Sequence, residues 1–215
     1  MTEDFEPESE RVTRHLRDEI IDGVREPGSR LVERDIATEL GVSRIPVRDA
    51  LRGLVAEGLV TPRPRSWAVV REFTADDIAD LSEVRMAFES LTFRLATTRA
   101  TADGLAALHA VLDREWTGAR AGDARAARRA AADFHDLVTE LAANDLLSEL
   151  HRTLRSRLRW LLVQHDDLTA VAEEHQRLYD TMAAGDVAAI ERLVAEHLQS
   201  SVRWAAERRQ PPDPD

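Results

Sequence analysis

The sequence predicts a mainly α protein in two parts: an N-terminal winged helix-turn-helix with a small β-hairpin wing, then a C-terminal all-α antiparallel helical bundle. Three observations predict it. Two short helical patterns flank Gly41 between residues 31 and 56. Two short strand-like runs follow, ending at Arg71. Beyond Arg71 no strand-like alternation appears, and apolar residues recur at helical spacing instead.

In the first helix, Glu33 to Leu40, the residues Ile36, Ala37 and Leu40 share one face, and Gly41 supplies the turn after the helix end. Ser43 is placed to cap the second helix, and Pro46 fits its first turn, where a missing N–H costs nothing. Val47, Leu51, Leu54 and Val55 form a buried stripe, so Arg44, Arg48 and Arg52, spaced by four, line up on another face, free to meet phosphates and base edges. Gly58 ends the helix, Leu59 to Thr61 reads as a strand, Pro62 to Ser66 as a turn and Trp67 to Arg71 as a returning strand. Arg63 and Arg65 then lie near the tip of a wing, where a basic side chain can reach a minor groove. An ordinary helical hairpin with solvated arginines would show any one of these features. The reading rests on all of them in this order.

Composition bounds the rest. The 215 residues have room for a small domain and a larger one, each with a core. With no Cys there is neither a disulfide framework nor a thiolate nucleophile. No apolar run approaches the roughly 20 residues needed to span a bilayer, and the acidic start MTEDFEPESE lacks the basic end of a signal peptide, so a cytoplasmic protein is expected and no membrane partner. The net charge of -11 is unevenly spread: residues 1–10 carry -5, residues 11–71 carry +3 and residues 72–215 carry -9. The positive segment is the expected DNA reader. Fields decay over a Debye length of ~8 Å at physiological salt, so a distant acidic domain opposes phosphate binding only modestly.

The expected organisation is an acidic, disordered end at 1–10, the winged helix-turn-helix at 11–71, the helical domain at 72–209 and a disordered tail, QPPDPD, at 210–215. Thr74 followed by Asp76 and Asp77 starts the helical part, with helices expected at 75–99, 102–121, 123–142, 145–165, 168–184 and 186–208. Leu81, Val84, Phe88, Leu91 and Leu95 mark the apolar stripe of the first of these. His135, His175 and His197 fall on three different helices, and imidazoles converging from three helices can bind a divalent metal through neutral ring nitrogens. A hydrogen-bonded or half-exposed His on an amphipathic helix is the other reading of each.

The run IIDGVREPGSRLVERDIATELGVSRIPVRDALRGLVAEGLVT, above all PGSRLVERDIA and GVSRIPVRDAL, resembles the DNA-binding domain of the GntR family of bacterial transcription regulators. The resemblance implies operator contacts by Arg34, Arg44 and Arg48, to which the bottom-up reading adds Ser43, Arg52 and Arg65. One recognition helix reads only a few base pairs and two-fold symmetry doubles the contact, so a homodimer on a short palindromic operator in double-stranded DNA is expected. The chain departs from the family at the wing tip, where Arg65, Ser66 and Trp67 stand in place of the usual Gly.

FHDLV at 134–138 and EHQRLYDTMAAGDVAAIERLVAEHL at 174–198 resemble the all-helical FCD effector domain of the FadR subgroup. That resemblance implies a divalent metal held by one Asp and three His, here His135, His175 and His197, beside a small organic acid. Zn, Ni and Mn are not distinguished. The family's Asp position, four residues before the first His, is Ala131, and Asp133 should point away, since two residues turn ~200° around a helix. Arg85, in SEVRMAFESL, resembles the Arg that faces the effector and can grip a carboxylate bidentately; a structural pair with Glu89 one turn on is the alternative. The function implied is a ligand-responsive DNA-binding regulator rather than an enzyme. Its rival is a metal-dependent hydrolytic enzyme carrying a DNA-binding module, for which the sequence offers no convincing general base.

Overall fold

The computed structural model describes residues 6–63, 67–163 and 166–207. Arg65 at the expected wing tip and the expected tail at 210–215 lie outside the described residues. The chain forms two compact units, Met1–Asp77 and Ile78–Asp215.

The first unit contains α1 (Glu8–Ile21), β1 (Arg30–Val32), α2 (Glu33–Leu40), α3 (Arg44–Ala56), β2 (Val60–Arg63) and β3 (Trp67–Val70). The sequence reading does not name α1 or β1, and it assigns residues 1–10 to a disordered end. Residues 8–10 are instead the first turn of α1, where Glu8 and Glu10 complement the helix dipole, and Val12, Leu16 and Ile20 bury one narrow stripe. β2 and β3 pair antiparallel as the hairpin the sequence predicts, and β1 adds a third strand, giving a sheet in the order β1-β3-β2. Its registers pair Leu31 with Ala68 on one side of β3 and Pro62 with Ala68 on the other. Pro62 is tolerated because β2 is an edge strand with no second ladder to feed. Leu31, Val47, Leu54 and Leu59 are fully buried and close the core under the helices. Gly41 takes the left-handed conformation (φ 65°) that the turn between α2 and α3 requires. Ser43 stands at the N-cap of α3 in extended conformation, but its side chain makes no capping hydrogen bond, so the capping role expected for it is not realised.

The second unit is a helical bundle of α4 (Ala75–Arg99), α5 (Ala102–Ala121), α6 (Ala124–Leu141), α7 (Asp145–Leu162), α8 (Leu168–Ala183) and α9 (Val187–Glu207). Its helix starts follow from local chemistry. The Thr101, Asp123, Asn144 and Asp167 side chains accept hydrogen bonds from the backbone N–H groups of Gly104, Ala126, Leu147 and Ala170. At the start of α4, Thr74 and Asp77 cap each other reciprocally: the Asp77 N–H donates to Thr74 Oγ1 and the Thr74 N–H to Asp77 Oδ2. Gly118 lets α5 approach α6 closely, since a Cβ there would sit 2.7 Å from the Ala127 backbone nitrogen. The core gathers Phe88, Phe93, Ala96, Leu108, Phe134, Val138, Leu178, Met182, Ile190 and Val194. One expected core position fails: Val84 is 48% exposed, while its neighbour Arg85 is 2% exposed. The buried arc of α4 runs through Leu81, Arg85, Phe88, Glu89 and Thr92. The inner face of this helix is therefore partly polar, which displaces Val84 outward.

Candidate nucleic-acid face and buried histidine site

In the first unit the buried stripe of α3 is Pro46, Val47, Ala50, Leu51 and Leu54, with Val55 half-buried. Arg44, Arg48 and Arg52 are exposed on its outer face, and Ser43 and Arg34 are exposed beside them. What the sequence reading missed is Glu33. This carboxylate at the start of α2 is 7% exposed. It accepts from Arg48 Nε and Nη2, both at 3.0 Å, and from Arg44 Nη2 at 3.1 Å. The Arg48 hydrogen bond, against the opposing effect of burial and with help from Arg44, holds the Glu33 carboxyl below the usual carboxylate range. Glu33 in turn pushes the Arg48 guanidinium above its ordinary value. Two of the expected operator arginines are thus clamped to one buried carboxylate. Arg34 and Arg52 make only exposed pairs, with Asp35 at 3.0 Å and Asp49 at 3.2 Å.

In the second unit α6, α8 and α9 bring His135, His175 and His197 together, and all three are buried. His135 Nε2 and His175 Nε2 are 3.2 Å apart, and one ligand atom from each of the three residues lies within 4.8 Å of the others. His175 Nδ1 lies 2.8 Å from Glu115 Oε2, and His197 Nδ1 lies 2.7 Å from Glu174 Oε2. A carboxylate on Nδ1 fixes the proton there and leaves Nε2 with its lone pair, the state in which imidazole ligates a metal. Burial drives His135 below its usual value, with His175 and Arg85 acting the same way against Glu89. Burial, then His175, His135 and Arg85, drives His197 further down. These two imidazoles are neutral near pH 7.

Arg85 reaches this cluster. Its Nε donates to Glu89 Oε1 at 2.8 Å, and its Nη2 lies 3.5 Å from His197 Nε2. Burial opposes the charge on Glu89, yet Arg85 and His135 hold its carboxyl far below the usual range. The pair with Glu89, which the sequence reading posed as the alternative to an effector contact, is realised, and the same guanidinium lies beside the His197 ring. Glu89 Oε2 lies 3.3 Å from His135 Nδ1, a buried nitrogen with no aligned hydrogen-bond partner.

Ala131, one turn before His135, is buried and offers no donor. Asp133 is turned away from the imidazoles, hydrogen-bonded to Arg159 and 3.6 Å from Arg114. The donor set nevertheless fits a divalent cation. Two nitrogens each ~2.0–2.1 Å from one zinc-sized ion stand ~3.0–3.4 Å apart at right or tetrahedral angles, which brackets the separation of the first imidazole pair. Glu89, Thr92, His135, Thr139 and His151 also line one small enclosed cavity, and His151 carries a second buried Nδ1 with no hydrogen-bond partner. Glu115 and Glu174 were missed in the sequence, and Glu89 was weighed there only as a partner of Arg85, because their contacts with the imidazoles run between helices. A signal did exist: Glu115 interrupts the stripe Leu108, Val111, Leu112, where a core acid needs a cationic or N–H partner.

Among the described residues no helix is long and apolar enough to cross a membrane. Residues 8–70 match the model of the bacterial regulatory proteins of the gntR family, and residues 80–200 match the FCD domain. An HTH-type transcriptional regulator of Mycobacterium tuberculosis is 33% identical over 89% of this chain and 87% of its own length. The HTH-type transcriptional repressor RspR of Escherichia coli is 26% identical over 90% of this chain and 87% of its own. In fold, the chain is similar to the solved structure of McbR/YncC from E. coli, with a TM-score of 0.83 at 21% identity, covering 95% of this chain and 99% of that one. With a gntR-type reading unit and an FCD unit that alone spans more than half the chain, the protein belongs to the GntR family of transcription regulators.

Proposed function

We propose that the protein binds a short palindromic operator as a homodimer and releases or tightens it in response to a small organic acid, with a divalent metal at His135, His175 and His197. The observation that carries the ligand half of this reading is the charge of the buried cluster. Glu89, Glu115 and Glu174 surround the three imidazoles, and Arg85 is the guanidinium among them. Carboxylates outnumber guanidinium groups around these imidazoles in a poorly solvated site, a balance that suits a divalent cation. Bound there, the cation would supply a Lewis-acidic position for a carboxylate oxygen.

The chain's own residues do the rest. Glu115 and Glu174 hold His175 and His197 in the ligating tautomer, and Arg85 presents N–H groups beside His197. Each carboxylate near the imidazoles is committed to a guanidinium or a ring nitrogen, which favours a binding site over one that abstracts a proton from water. The adjoining cavity is small, so a ligand entering it shifts the helices that line it. A ligand that favours one helix arrangement is what an effector must be to alter operator affinity. We assign Arg34, Ser43, Arg44, Arg48 and Arg52 to the operator, with Arg65 as the wing contact, a reading that goes with a cytoplasmic protein.

The test uses full-length protein. Metal content after dialysis without chelator should be close to one equivalent per chain and fall in His175→Ala. A duplex recovered by selection from a random-sequence pool should be palindromic and bound by two chains. A panel of small mono-, di- and hydroxycarboxylates should contain at least one that changes this binding. Metal below about a tenth of an equivalent, or a single chain on the selected duplex, overturns the corresponding part of the reading.

A further inference from the structure

Ile45 is 69% exposed, the most open large apolar side chain among the described residues, and it lies in the first turn of α3. A lone exposed apolar residue is ordinary on a protein surface. Its place here is not. At ~100° per residue, Ile45, Arg48 and Arg52 fall within an arc of about 60°, and Arg44 lies about 40° beyond Arg48. Ile45 therefore shares the outward face of the three arginines while Pro46 and Val47, next in sequence, are buried. In a helix-turn-helix the N-terminal residues of the second helix are those that reach base edges. The one apolar group a base pair presents in the major groove is the thymine C5-methyl.

We infer that Ile45 is a specificity residue that packs on a thymine methyl in each operator half-site, next to the base pairs read by Arg44 and Arg48. Its chemistry suits the task. A β-branched side chain in a helix is held almost entirely in one χ1 rotamer, so little freedom is lost on contact. Glu33 clamps the flanking Arg44 and Arg48, so the apolar tip stands beside two cations of fixed position. Arginines alone would favour G·C pairs; Ile45 adds a requirement for T at one place.

This inference rests on the operator reading above, and the experiment separates the two. A duplex is selected from a random-sequence pool with the full-length protein, and each thymine in it is replaced in turn by deoxyuridine, which removes only the methyl. Wild-type protein should lose about three- to fivefold in affinity at one thymine per half-site, the value of one buried methyl-sized group. Ile45→Ala should bind the thymine and deoxyuridine duplexes equally, and its thermal stability should match wild type because the side chain is exposed. Deoxyuridine substitution without effect anywhere, or with the same effect in both proteins, overturns the inference while leaving the operator reading intact. Failure of the pool to yield any enriched duplex overturns the operator reading and this inference with it.

Discussion

The clamp on Arg44 and Arg48 gives the sharpest test of how the reading unit works, through Glu33→Gln. Glu33 meets both nitrogens of the Arg48 fork and one of Arg44, and its carboxylate is nearly enclosed while the arginines stay about half exposed. In the free protein it offsets about one of the two positive charges and aims both side chains. Gln keeps the size and one acceptor but removes the charge and the bidentate fit. Two effects follow with opposite consequences. The freed charge adds about one effective phosphate contact per subunit, so the slope of log affinity against log salt should steepen by ~0.9 for each subunit. The lost aim weakens base readout, so the ratio of specific to non-specific affinity should fall on the order of tenfold. Fluorescence anisotropy on the selected duplex and on a scrambled one, at several salt concentrations, reads both. A ratio within twofold of wild type at an unchanged slope would show that Glu33 positions nothing. The pH dependence supplies a second check. Because the Glu33 carboxyl is lowered on folding, its contribution is fully present above the usual carboxylate range of ~4.3 and disappears as pH falls through the lower folded value. Acid-unfolding curves of wild type and Glu33→Gln should differ above that range and converge below it.

Three further outcomes are expected. Glu115→Gln removes the carboxylate on His175 Nδ1 and should weaken metal binding about 10- to 100-fold in a chelator competition; unchanged affinity would mean that Glu115 does not set the tautomer. Arg85→Ala strands the buried Glu89 and should cost about 3–5 kcal/mol in denaturant unfolding, most of it recovered in Arg85→Met with Glu89→Gln, and the double variant should keep operator binding while losing the carboxylate response. Gly118→Ala should destabilise by about 1–3 kcal/mol despite its better helix propensity, because the new Cβ meets the backbone of Ala127; a stabilised variant would refute the close approach of α5 and α6.

How much of this was legible in the sequence depended on whether the information was local. The spans of α2, α4 and α5 follow from periodicity bounded by Gly41, Thr74, Thr101 and Gly122, signals that act within one turn. α1 escaped because its stripe of Val12, Leu16 and Ile20 is thin among charged residues, and β1 because three residues carry no alternation. The three histidines could be named from the resemblance, and Asp133 set aside from helix geometry alone. Their carboxylate partners could not be named. Glu89, Glu115 and Glu174 reach the imidazoles across helix interfaces, and Glu33 reaches Arg48 across the turn between α2 and α3, 15 residues apart. Pairing across elements leaves no local spacing. Its trace is an acid sitting where an apolar residue is due.

That trace also bears on how a chain of net charge -11 meets DNA. On the α2–α3 face the four arginines are opposed by Glu33, Asp35 and Asp49, so the face is close to balanced in the free protein. The three acids are not equivalent. Asp35 and Asp49 make exposed pairs with Arg34 and Arg52, and solvent and salt leave such pairs little hold. On the operator reading proposed above, an approaching phosphate would compete more readily for Arg34 and Arg52 than for Arg44 and Arg48, which pair with the buried carboxylate of Glu33. On that reading the loosely paired arginines suit the DNA backbone, and the clamped ones suit a base edge, which demands a fixed direction. A near-neutral face then binds indifferent DNA weakly, and discrimination is assigned, on the same reading, to the two clamped side chains rather than to the total charge.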